Sequence, residues 1–368
     1  LREATSFTHR ENPSVGVSTR SFERDEVGDR AIDPLYPSFL RPTGAQLVLN
    51  EPGYSELSKA LGQALGENTT RPPLARALMQ TDLWSAYDTL YSTAYSQAAM
   101  PETSERRALL DHLARMIREI ALTDREIESL PANYSVAAPL ESLPDLFRKD
   151  GEWLEVRWMP HLHDYSAGNR RVTRVFIKPV HPPQDVNTFL NGLPRDEHLL
   201  EDLDGVALVT QLLLINPKGH LLPTSFTTDV QVRLFEKKAD GAFKRTSIQA
   251  SEISRRRLIE SPASGGLVVE DENAPAYLVN AGNDYTFASQ LFHLGTPVQA
   301  RLRTRCKACH GDQLTVVLTF AFKSFPNGDS PPVRQLNPAA HQAADAVMEK
   351  KAKQKDFESL RALFNGDK

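Results

Sequence analysis

Three side chains able to do redox or ligation chemistry fall within five consecutive positions. They are Cys306, Cys309 and His310, in the segment Arg305-Cys306-Lys307-Ala308-Cys309-His310-Gly311. The two cysteines are the only ones in the chain, so this is not a disulfide-stapled scaffold. Thiols with two residues between them can both reach one edge of a porphyrin and add across its two vinyl groups, and the imidazole next in line can turn toward the iron. Covalent attachment keeps the group even in an open pocket and leaves the axial ligands to set the potential. Three rival chemistries use the same residues. Zinc needs about four ligands, and with no second cysteine pair a histidine would have to complete the set. Cys309 and His310, being adjacent, are awkward for one tetrahedral ion. A thioredoxin-like dithiol would sit before a helix in a βαβ unit, whereas strand patterns precede and follow this segment. A structural dithiol or small disulfide loop is the plainest alternative.

The segment 305–311 resembles the haem-binding segment of c-type cytochromes. The resemblance is specific for attachment and not for fold. It implies one covalent haem c, held through Cys306 and Cys309, with His310 as an axial iron ligand. Small monohaem cytochromes carry the motif near the start of the domain, at an N-terminal helix, with a distal Met far downstream. Here the motif lies near the end of the chain, in an expected β-hairpin loop. The resulting expectation is an extracytoplasmic (periplasmic or extracellular) monohaem protein in electron transfer, docking on a redox partner protein or belonging to a larger assembly. Two alternatives stand beside it. One is a haem enzyme, a peroxidase or oxidoreductase subunit, with an open iron position. The other is a non-redox secreted protein whose β domain binds a ligand. Whether the chain is an enzyme stays open.

A closed six-coordinate iron, suited to an electron carrier, needs a His or Met opposite His310. His341, 31 residues further on and beyond a Pro/Gly/Asp/Ser linker at Phe325 to Pro332, is the first candidate. Met348 follows seven residues later, about two helical turns. Met159, His161 and His163 come from the other end of the β-rich region. His161 and His163 share a face if extended, and could equally hold a metal. The commoner role of such histidines is a surface or hydrogen-bonded one, and this applies also to His220 and His293. The acidic residues Asp202, Asp204, Glu270, Asp271 and Glu272 lack calcium-loop spacing. Asn68-Thr69-Thr70 and Asn133-Tyr134-Ser135 match glycosylation acceptors. No phosphate-binding glycine loop and no internal repeat occurs, and no Ser-His-Asp constellation can be identified, because its members are not local in sequence.

The elements that must position these residues change character along the chain. Residues 1–50 show little periodicity and read as an extended arm or a loose terminus. Residues 51–135 read as a helical unit. Leu57, Leu61 and Leu65 recur at four-residue spacing. Pro72-Pro73 opens a second helix, with Leu74, Ala77, Leu78, Trp84, Tyr87, Leu90, Tyr91 and Ala94 in helical period. Its aromatic stripe suits core packing better than contact with a cofactor. Leu109, Leu110, Leu113, Met116, Ile117 and Ile120 form a third stripe, and Thr123 with Glu126 forms a capping box. Residues 136–325 read as the β-rich haem-attachment domain. Strands are expected at Val172 to Val180, Val206 to Ile215, Val230 to Leu234, Leu267 to Glu270, Tyr277 to Val279, Val298 to Leu302 and Leu314 to Phe322. The unbroken apolar run Val206 to Ile215 suits a strand buried on both faces. Residues 326–368 read as linker and C-terminal helix, with helical character over 338–364. The fold class is therefore α+β: an N-terminal helical unit, an antiparallel β-sandwich-like unit with the haem motif in a hairpin loop, and a C-terminal helix.

Composition agrees with a globular chain. Of 368 residues 40% are hydrophobic and 24% charged, with a formal net charge of -4. Interspersed charges of both signs argue against a nucleic-acid partner. The basic runs Arg255-Arg256-Arg257 and Lys350-Lys351 read as solvated faces. No apolar run approaches the roughly 18 residues of a membrane span. The chain starts at Leu1 with no charged segment leading an apolar one, so a processed or trimmed chain is expected, with any signal peptide removed.

Overall fold

A computed structural model describes residues 71–91, 104–148, 150–156, 171–185, 202–237, 243–269, 277–280, 297–300 and 351–365, with positions 59, 188–189 and 348–349 besides. The arm at 1–50, the stripe of Leu57, Leu61 and Leu65, the strand expected at Leu314 to Phe322 and the linker at Phe325 to Pro332 lie outside these residues.

The first of the described helices, α1 (Pro73–Tyr91), starts where the Pro72-Pro73 pair predicts. Its inner side chains Ala77, Leu83, Trp84 and Tyr87 are fully buried. Helix α2 (Ser104–Glu119) buries Leu109, Leu113, Met116 and Ile117, the expected stripe. Helix α3 (Asp124–Glu128) begins with the predicted capping box. The Glu126 backbone N–H donates to the Thr123 hydroxyl, and the Glu126 carboxylate accepts from the Thr123 backbone N–H. Both are orphan helix-end donors, and pairing them keeps a five-residue helix in place. A further helix, α4 (Tyr134–Leu140), was not expected from sequence; it is short and carries Pro139 inside it.

The β region is a six-stranded antiparallel sheet in sequential order, so each strand pairs with its chain neighbours. Its strands are β1 (Leu154–Val156), β2 (Arg171–Pro179), β3 (Leu203–Ile215), β4 (Leu221–Lys237), β5 (Phe243–Ile253) and β6 (Leu267–Val269). A separate pair, β7 (Tyr277–Asn280) and β8 (Pro297–Ala300), forms a two-stranded sheet. The fold class is α+β, as the sequence implies. Strands β1 and β5 escaped the sequence pattern, and β4 begins nine residues before the Val230 to Leu234 alternation. β5 mixes Lys244, Arg245, Gln249 and Glu252 with few apolar residues, so its partners rather than its own period hold it extended. Between β5 and β6 lie helix α5 (Arg255–Glu260) and a 3₁₀ turn (Pro262–Ser264).

Among the described residues, core clusters join helices to sheet. In one, α1 and α2 pack against Val172, Leu213 and Ile215 together with Phe357, Leu360 and Phe364 of the C-terminal helix α6 (Lys355–Asn365). In another, Tyr134 and Ala137 of α4 pack on Phe176, Val209, Phe226, Val230 and Val232 of the sheet. β3, one of the two central strands, is buried along nearly its whole length, because helices cover the end that β2 leaves open. There Gln80 acts as a substitute strand edge: its amide donates to the Ile215 carbonyl at 2.8 Å and accepts from the Ile215 N–H at 2.9 Å. These bonds satisfy backbone groups past the end of β2, which buried strand residues require.

Candidate functional site

The expected attachment residues Cys306, Cys309 and His310, and the candidate distal ligand His341, lie outside the described residues, as do Met159, His161, His163 and His293. Their donor chemistry is what bears on fit: two thiols for thioether bonds and one imidazole for iron. Among the described residues no group of three or more His, Cys, Asp or Glu is placed to hold a metal ion.

Several residues singled out in the sequence are described, and their surroundings assign them structural work. Met348 is half-buried and packs against the cluster that contains Trp84 and Phe357, the surroundings of a core side chain. The aromatic stripe of α1 is core as well. The Trp84 ring lies 5.7 Å from that of Phe357, and the Tyr87 hydroxyl donates to Ser359 Oγ at 3.2 Å. His220 is exposed in the turn between β3 and β4, where its backbone N–H donates to the Asn216 side chain at 2.9 Å.

Asn133 corrects a sequence reading. It is buried, its amide donates to the carbonyls of Thr227 at 3.0 Å and Gly265 at 2.8 Å, and its side-chain oxygen accepts from the Thr227 N–H at 2.7 Å. The amide nitrogen that glycosylation would modify is thus enclosed and engaged in the fold. Gly265 permits this approach. It has φ of 71°, and a Cβ there would stand 2.5 Å from the Asn133 carbonyl oxygen. The Lys350-Lys351 run is corrected likewise: Lys351 is buried. Its ammonium donates to Asp356 at 2.6 Å, faces Asp88 at 3.7 Å and lies 5.4 Å from the centre of the Trp84 ring. A buried ammonium requires such pairing, and the sequence could not show it because Asp88 is remote in the chain. In the other basic run, Arg257 pairs with Glu141 at 2.6 Å and stays one-third exposed.

Two buried polar constellations in the sheet were not anticipated. Arg174 donates to Glu155 through Nε at 2.7 Å and Nη2 at 2.5 Å, a bidentate pair, while its guanidinium lies 4.7 Å from the centre of the Phe147 ring. Burial pushes the Glu155 carboxyl above its ordinary range, against the opposing pull of Arg174. Asp229 stands in a row with Thr173, Thr210 and Glu252 across four strands. It accepts from Thr210 at 3.0 Å, Thr228 at 3.3 Å and Arg171 at 3.4 Å. Burial raises its carboxyl too, more than Arg171 and the two hydroxyls lower it. The hydrogen-bond partners of these two carboxylates, Arg174, Thr210, Thr228 and Arg171, belong to the sheet, so the geometry supports a role in pinning strands together. The sequence carried one signal: Arg174 falls among Val172, Val175, Phe176 and Ile177, where a charge must find a buried partner.

What the fold defines is an α+β protein built on a sequentially connected six-stranded antiparallel sheet. No protein-family model, no curated protein and no solved structure matches the chain. No helix among the described residues is long and apolar enough to cross a membrane.

Proposed function

We propose that the chain is a monohaem protein resembling c-type cytochromes, acting in electron transfer outside the cytoplasm. A single observation carries this reading: the chain's only two cysteines fall at the thioether spacing, with His310 immediately after the second. Cys306 and Cys309 would hold the group and His310 would ligate its iron. When bound, the haem supplies a one-electron couple whose potential follows its axial ligands and its burial. We place the motif in the hairpin loop that follows β8, on a sandwich-like β unit. The large remainder of the chain then serves to dock a redox partner or to join an assembly. An extracytoplasmic site accompanies the reading, because thioether attachment to this motif takes place outside the bacterial cytoplasm in the family it resembles.

Intact mass spectrometry tests the proposal. The full chain, expressed with cytochrome maturation machinery, should carry one haem adduct that survives denaturation. The Cys306→Ala/Cys309→Ala chain should carry none. Recovery of the apo mass alone under those conditions overturns the reading and returns the segment to the zinc, dithiol and disulfide alternatives.

A further inference from the structure

We draw no further inference here: the strongest candidate, the exposed apolar surface patch of Val136 and Leu140 one turn apart on the short helix α4, carries nothing because nothing in the structure shows what covers it.

Discussion

Thr123 and Glu126 show how two side chains can set a helix end and its response to acid. Burial opposes ionisation of Glu126, but hydrogen bonds from the Thr123 backbone and hydroxyl, together with the Arg76 guanidinium at 3.0 Å, hold its carboxyl below the ordinary range. A carboxylate depressed in the folded state stabilises the fold above its unfolded pKa, and that contribution is lost as the pH falls through the folded value. Glu126→Gln should therefore flatten the acid side of the stability–pH curve by removing that contribution at neutral pH, while Gln can still accept from the cap. Denaturant melts across the acid range would show it; an unchanged acid limb would count against the assignment. Thr123→Ala should cost about 1 kcal/mol at neutral pH. Glu155 and Arg174 obey a different rule, because neither reaches water. Arg174→Met alone leaves a carboxylate buried without its partner and should cost about 3–5 kcal/mol. Adding Glu155→Leu should recover much of that loss, which a double-mutant cycle in urea would reveal as strong coupling. Simple additivity of the two changes would refute the pairing.

Helix α6 makes the same case for an element. Phe357, Leu360 and Phe364 fall at helical spacing and are all buried against α1 and α2. Of the polar residues between them, Glu358 and Arg361 are exposed, while Ser359 turns inward to accept from Tyr87. Truncation of Phe357 removes a ring that contacts Trp84 and leaves a cavity, so Phe357→Ala should cost about 3–5 kcal/mol. Trp84 emission should shift to the red in that variant, because water gains access to the indole. Native emission and an unaltered urea midpoint would show that α6 does not dock as described. The strands teach the complementary lesson. β3 is legible because both its faces are buried and its apolar run is unbroken. β5 is illegible because pairing with β4 at nine positions, rather than its own composition, makes it a strand.

At the scale of the molecule, the proposed haem raises the question of what stands opposite His310. With Met348 packed against the core cluster, His341 remains the first candidate on the C-terminal side. In haem-loaded protein, His341→Ala should convert a low-spin iron spectrum to high-spin and raise affinity for carbon monoxide or cyanide. An unchanged low-spin spectrum in the variant excludes His341. A high-spin spectrum in the unmodified protein favours the enzyme alternative, since an open iron position suits a reactant better than an electron.

By itself, the sequence determined what local spacing controls. The stripes of α1 and α2, the capping box at Thr123, the buried strand β3 and the α+β class all follow from periodicities of a few residues. The proposed attachment motif is of the same kind, since its chemistry depends on two thiols with two residues between them. Only the tertiary structure decided where charge and polarity go once the chain is closed. It enclosed Asn133 against Thr227 and Gly265, drew Lys351 between Asp88 and Asp356, and matched Arg174 with Glu155. It also formed β1, β5 and α4, which their own composition does not announce. The physical reason is the same in each case: the partner is supplied by a segment distant in the chain, and a side chain's environment, unlike its spacing, exists only after that segment has arrived.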